Sequence, residues 1–113
     1  MRRSRWHVPA AEILAALPSP DGSRAATVFD RGDLRVELYA PRDRDEQRPH
    51  ERDELYFVVS GEGRFRCAGS EVSFAAGDLL FVPAGVEHRF EAFGEDLVVW
   101  VVFFGPQGGY GVG

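Results

Sequence analysis

The chain is poor in three features that define common classes of protein: cysteine, long apolar runs and clustered positive charge. Its single cysteine, Cys67, excludes an intrachain disulfide and fits a reducing cytoplasm. No stretch approaches the roughly eighteen apolar residues of a membrane span, and the first residues lack an apolar signal core. The net charge is −5, with acidic and basic residues interspersed. We therefore expect a cytoplasmic protein that binds neither nucleic acid nor membrane.

What the sequence does contain is typical of one all-β domain over residues 1–113. Apolar residues make up 44% and charged residues 27%, close to the globular average, and the length gives room for one core. Thirteen glycines and seven prolines indicate tight turns between short elements. The glycine-rich tail, residues 105–113, has almost nothing to bury, which predicts that it is mobile unless it packs on a partner chain.

Local patterns predict a short helix followed by strands. The helix is expected from Pro9 to Leu17, where Pro9 suits the first helical position and Pro18 ends it. The dense charge from Pro41 to Asp53 predicts a loop. Turn residues separate the predicted strands, which are Ala26 to Phe29, the alternating run Leu34, Val36 and Leu38, Leu55 to Ser60, Gly63 to Cys67, Val72 to Ala75, Leu79 to Val82, His88 to Phe93 and Leu97 to Phe104.

Two segments carry residues at definite intervals. Residues 77–88, GDLLFVPAGVEH, have the form GxxxxxPxGxxH, and residues 50–61, HERDELYFVVSG, place a glutamate and a glycine after a histidine. In this order they resemble the two signature motifs of the cupin superfamily, the first from its second histidine onward. The resemblance covers about residues 36–104. It implies a double-stranded β-helix, or jelly-roll barrel, with a metal site in its mouth.

The resemblance also implies the metal ligands. Carried over position by position, they are His50, Glu54 and His88, while Arg48 takes the place of the family's first histidine. Arg48 is permanently charged and has no lone pair to offer, so it cannot be a ligand. Two histidines and one carboxylate form the facial triad of non-haem Fe(II), but Zn, Ni, Co or Mn also fit. Gln47 would add a fourth ligand if the backbone turns its side chain inward.

Arg48 leaves two further interpretations open. Facing inward, it would pair with Glu54 in place of a cation and leave a metal-free barrel. At the rim of the cavity, it would hold the carboxylate or phosphate of a ligand. Tyr56 shares the parity of Glu54 along the strand, which favours it as a residue of the substrate pocket.

The run Leu97 to Phe104 is apolar on both faces, which requires burial on both. This predicts either a homodimer interface, as is frequent in the family, or cover by the N-terminal helix. The cupin resemblance leads to a metal-dependent oxygenase, isomerase or decarboxylase that acts on a small organic molecule. The alternatives are a non-catalytic barrel that binds or senses a small ligand and a metal-free structural dimer. The sequence does not decide whether the protein is an enzyme, and it identifies no catalytic residue.

Overall fold

The computed structural model describes residues 6–45 and 49–110. Within these ranges the chain forms one short helix and eight strands. In chain order they are α1 (Ala10–Ala15), β1 (Ala25–Arg31), β2 (Leu34–Tyr39), β3 (Asp53–Ser60), β4 (Gly63–Cys67), β5 (Ser70–Phe74), β6 (Leu79–Val82), β7 (His88–Glu91) and β8 (Val98–Phe104). None of the helical residues in these ranges forms a helix long and apolar enough to cross a membrane.

The strands form two antiparallel sheets. One has five strands in the order β1-β2-β8-β3-β6, and the other has three in the order β5-β4-β7. The predicted all-β jelly-roll barrel with a short N-terminal helix is therefore confirmed. Inward-facing side chains of both sheets form the main core, which comprises Tyr56, Val58, Phe65, Phe74, Val82, Phe90, Leu97, Val99, Val101 and Phe103.

The helix α1 covers part of the outer face of the five-stranded sheet. Ile13 is buried there against Leu38 of β2 and Val98 of β8, in a cluster separate from the main core. Trp100 packs against the same cluster. The apolar outer face of β8 is thus covered, in this part, by the helix of the same chain.

Because α1 covers this outer face, the polar side of β2 faces the barrel. Residues that pair across neighbouring strands point to the same side of a sheet. Three alternate residues of β2 pair with core residues of β8: Arg35 with Phe103, Glu37 with Val101, and Tyr39 with Val99. Arg35 and Glu37 therefore lie on the inner face of the sheet.

The outer face of β3 and β6 carries four apolar side chains, which we call the outer patch: Leu55, Phe57, Leu79 and Phe81. They form two cross-strand pairs, Leu55 with Phe81 and Phe57 with Leu79. Phe57, Leu79 and Phe81 are 44%, 56% and 52% exposed. The outer face of the five-stranded sheet is therefore apolar beyond the part that α1 covers.

The charged segment before β3 forms no strand in its described residues, which agrees with the predicted loop. Asp45, however, is buried. Its Oδ1 accepts a hydrogen bond from the Tyr39 hydroxyl at 2.6 Å, and its Oδ2 accepts one from the Phe90 amide at 2.8 Å. Since Tyr39 belongs to β2 and Phe90 to β7, Asp45 links the two sheets.

The C-terminal tail makes specific contacts despite its composition. The Gly108 amide donates a hydrogen bond to the Glu51 carbonyl at 2.6 Å, and the Gln107 amide group donates one to the Glu51 carboxylate at 2.7 Å. Gly109 lies against Asp53 and Ala84. The described part of the tail therefore packs beside the segment that leads into β3.

Candidate metal centre

Three side chains from different parts of the sequence meet in the barrel mouth. Glu54 is the second residue of β3, His88 is the first residue of β7, and His50 lies in the loop before β3. One ligand atom from each lies within 4.8 Å of the other two. The structure therefore brings together the three residues that the cupin resemblance selects.

The distances suit a common ion. Glu54 Oε1 lies 3.0 Å from His88 Nε2 and 4.0 Å from His50 Nε2. Two atoms that each bind a metal at about 2.1 Å cannot be more than about 4.2 Å apart. Both distances satisfy this limit, whereas the separation of the two histidine ligand atoms is bounded only by the 4.8 Å within which all three atoms lie. His50 has a side chain 33% exposed, so it has room for any remaining adjustment, whereas Glu54 and His88 are almost completely buried.

The polar atoms of this cluster lack aligned hydrogen-bond partners. In the described part of the chain, this holds for both carboxylate oxygens of Glu54 and for the Nε2 atoms of His50 and His88. The 3.0 Å separation of Glu54 Oε1 and His88 Nε2 is a favourable contact only when a proton lies on Nε2, because both atoms are otherwise acceptors. Such a group of buried acceptors is costly unless a cation, either a proton or a metal, lies among them.

The tautomer of His88 is set by the backbone. Its Nδ1 lies 2.9 Å from the Val86 carbonyl, so the neutral ring donates from Nδ1 and presents the Nε2 lone pair to Glu54. Burial lowers the pKa of His88, but the contacts with Glu54 and the Val86 carbonyl, with a smaller effect of Asp45, outweigh burial and raise it. A proton therefore competes with a metal for this atom.

The glycine-rich turn of the second motif holds the first motif in place. The Gly85 amide donates a hydrogen bond to the His50 carbonyl at 2.7 Å, and the Ala84 amide donates one to Asp53 Oδ1 at 2.9 Å. Gly85 has a φ of 77°, a conformation that favours glycine. The turn thus positions His50 as well as shaping the approach to His88.

Aromatic side chains form the wall of the barrel below the cluster. The Tyr56 ring is fully buried and lies 6.0 Å from the His88 ring, and Phe65 lies 6.3 Å from it. Phe103 contacts the His50 ring edge-to-face at 4.8 Å. Tyr56 therefore lies near the candidate ligands, inside the barrel as its parity predicts.

A pocket of about 410 Å³ opens beside His50 at the barrel mouth. His50 and Phe103 are among the residues that line it. Arg35, Glu37 and Arg52 contribute charged groups to its wall. Its size is within the range of small-molecule sites.

Two predicted site residues, Gln47 and Arg48, lie outside the described residues. The predictions that Gln47 is a ligand and that Arg48 fills the cation site or binds a ligand at the rim remain predictions. Cys67 pairs with His88 across β4 and β7. Burial, and then the charge of Glu54, raise the pKa of its thiol, which agrees with a neutral packing role.

Sequence interpretation did not select Asp45, Asp53 or Arg35. Asp45 and Asp53 lie in or beside the charged stretch, where composition indicates a loop and gives no sign of a buried carboxylate. Arg35 belongs to an alternating strand, and alternation distinguishes two faces without showing which one is internal.

Comparison with known proteins supports the fold and identifies the family. A family model described as a cupin domain matches residues 35–104. A relative from Streptomyces coelicolor, itself uncharacterized, is 39% identical over 98 residues, which cover 85% of this chain and 92% of that protein. The crystal structure of a cupin-2 domain containing protein from Shewanella frigidimarina has a TM-score of 0.68 at 16% identity and covers 87% of this chain and 94% of its own. The structure of KdgF from Halomonas has a TM-score of 0.63 at 22% identity and covers 74% of this chain and 78% of its own. The chain belongs to the cupin domain family.

Proposed function

We propose that this cupin binds one divalent transition metal, Fe, Mn, Ni, Co or Zn, through His50, Glu54 and His88. The observation that supports it is the convergence of buried, unpaired acceptor atoms from the three side chains. A carboxylate as buried as Glu54 costs several kcal/mol when its charge is not compensated. A metal cation offsets this cost and uses the Nε2 lone pair that the Val86 carbonyl directs into the cluster.

Three protein ligands would leave coordination positions available to small molecules, and His50 is the candidate ligand that lines the pocket at the barrel mouth. A metal there would supply a Lewis acid or a redox centre for oxygenase, isomerase or decarboxylase chemistry on a small organic molecule. The buried rings of Tyr56 and Phe65 lie beside His88 and would give a bound metal an apolar surrounding on that side. His50, the most exposed of the three, would then lie nearest to a substrate.

The experiment is metal analysis of untagged protein after separate incubation with Fe(II), Mn(II), Ni(II), Co(II) and Zn(II). We expect close to one equivalent of at least one metal in the wild type and little in His50→Ala. Only trace metal in the wild type under all five conditions would refute the metal site. Turnover of a panel of small acids, sugars and phenols, compared between the same two proteins, tests catalysis.

A non-catalytic role uses the same pocket. If the protein is a binding or sensing barrel, the metal-loaded wild type takes up a small organic ligand, but the ligand is recovered unchanged.

A metal-free structural barrel is favoured by one observation: His88, once protonated, forms a buried ion pair with Glu54 at 3.0 Å. Metal analysis separates this last role from the other two.

We further propose that a second copy of the chain covers the outer patch. Large exposed apolar surfaces of this kind mark interfaces, and the patch borders Trp100, where cover by α1 ends. Phe57, Leu79 and Phe81 form an uncharged surface that two copies can share around a twofold axis. The homodimer would thus complete the burial of a sheet face that the helix covers only in part.

A further inference from the structure

Arg35 and the candidate metal ligand Glu54 lie in one row across the five-stranded sheet. Both residues pair with Phe103, Glu54 from β3 and Arg35 from β2. Adjacent strands are about 4.8 Å apart, so the two α-carbons are separated by about 10 Å on the same inner face. The guanidinium itself is held toward Thr27 of β1, on the side of β2 away from β3. Arg35 therefore meets the candidate site through the pocket that it lines together with His50.

The Arg35 side chain is held by two neighbours and still faces the pocket. Its Nη2 donates a hydrogen bond to Thr27 Oγ1 at 3.1 Å, and its Nε lies 3.0 Å from Glu37 Oε2. The remaining nitrogen, Nη1, has no partner among residues 6–45 and 49–110. The side chain is 43% exposed and lines the same pocket as His50. Arg35 thus offers a held, partly exposed guanidinium to the same pocket that the candidate ligand His50 lines.

With a divalent metal bound nearby, the charges in and beside this pocket would favour an anion. Its described wall contains two arginines, Arg35 and Arg52, and two glutamates, Glu37 and Glu51, whose formal charges cancel. A divalent metal bound by Glu54 would leave one positive charge beside this pocket. Water screens charges less in a partly enclosed pocket than on an open surface, so this excess attracts a negatively charged ligand.

We propose that Arg35 is the anion-recognition residue of this pocket and that the ligand is a small organic acid. One carboxylate of the acid pairs with the Arg35 guanidinium, and a second oxygen function faces the metal. This inference rests on the proposed metal site and adds the chemical class of its ligand. Arginine suits the task because its planar donors match a carboxylate.

The test is a titration of Co(II)-loaded protein with malonate, succinate and glutarate, followed by calorimetry and by the visible spectrum of Co(II). Succinamate, with an amide in place of one carboxylate of succinate, is the neutralised probe. In the wild type we expect at least one diacid to bind, and succinate to bind about tenfold or more tightly than succinamate. In Arg35→Met this discrimination should disappear while Co(II) affinity stays unchanged.

Arg35→Lys keeps the charge but loses the planar donors. Its preference for succinate over succinamate should therefore lie between those of the wild type and Arg35→Met. Arg64→Met is the matched control, because Arg64 is an exposed arginine of the other sheet that pairs with Glu71. Unchanged discrimination in Arg35→Met, or no diacid binding to loaded wild type, would overturn the role of Arg35 and leave the metal site intact. Failure of the wild type to bind Co(II) or any of the other metals would overturn both proposals.

Discussion

The Nε2 atom of His88 lies 3.0 Å from the Oε1 atom of Glu54, and both side chains are almost completely shielded from solvent. The Nδ1 atom of the same ring is committed to the Val86 carbonyl. His88 Nε2 therefore has two alternative uses: it holds a proton that pairs with Glu54, or it donates its lone pair to a metal. The two uses respond oppositely to pH.

The first prediction is that metal stabilisation grows with pH. The pKa of His88 is raised above 6.5 in the folded protein. In the metal-free protein, its protonation contributes stability that is fully present below about pH 6.5 and is lost as the pH rises through the folded-state pKa. A metal needs the neutral ring. The rise in Tm on adding Co(II) should therefore be larger at about pH 8 than at about pH 6. Thermal unfolding measures it, and a pH-independent shift would contradict the assignment of His88.

The second prediction separates metal binding from folding. Glu54→Gln keeps the shape of the side chain and removes its charge, so metal affinity should fall at least about a hundredfold. At a pH above the raised pKa of His88, the metal-free variant should be as stable as the wild type or more so, because an uncompensated buried carboxylate is gone. Calorimetric metal titration and urea unfolding provide the two measurements. Glu62→Gln, in the exposed turn between β3 and β4, is the control, and equal metal affinity in the two variants would exclude Glu54 as a ligand.

The strands could be predicted well because glycine and proline mark their ends. The predicted bounds Gly63 to Cys67 and Leu79 to Val82 agree with β4 and β6. The strand predicted from Leu55 begins at Asp53 instead, because the site requires polar residues where a strand pattern expects apolar ones. The local sequence pattern thus predicts the middle of a strand better than an end, such as the start of β3, that carries site residues.

The candidate site could be predicted only through the family motifs. Nothing in local pattern brings His88 to Glu54, since their contact depends on how the two sheets face each other. The inward direction of Arg35 could not be predicted from the strand pattern either. It depends on α1, which covers the apolar face of β2 and makes that face the outer one. The burial of Asp45 depends on partners in β2 and β7, which are far apart in sequence.

The third prediction concerns the packing of the tail on the first motif. A Cβ added at Gly109 would lie 2.8 Å from Asp53 Oδ1 and 2.9 Å from the Ala84 Cβ, whereas one at Gly108 would meet nothing within 4 Å. Both glycines have positive φ, 78° and 84°, so backbone strain is similar in Gly109→Ala and Gly108→Ala. We expect Gly109→Ala to unfold with a free energy about 1–2 kcal/mol lower than Gly108→Ala. Urea denaturation compares them, and equal stability would mean that this contact is unimportant.

The fourth prediction tests the homodimer. Phe81→Glu would place a charge in the outer patch, which the proposed dimer buries, so this variant should be monomeric at concentrations where the wild type is a dimer. Val72→Glu is the matched control, since Val72 is 51% exposed on the other sheet and should leave the dimer intact. Light scattering after size-exclusion chromatography gives the mass. A monomeric wild type, or a dimeric Phe81→Glu, would exclude this interface.

The hydrogen bond from the Gly108 amide to the Glu51 carbonyl also bears on how the protein can be extended. Glu51 follows His50 directly. A fusion partner attached beyond this tail could therefore displace the loop that carries the candidate ligand His50. An extension before α1 would instead join the fold on the outer face of the five-stranded sheet, away from the barrel interior. Reporter and immobilisation designs should therefore use the N-terminal side.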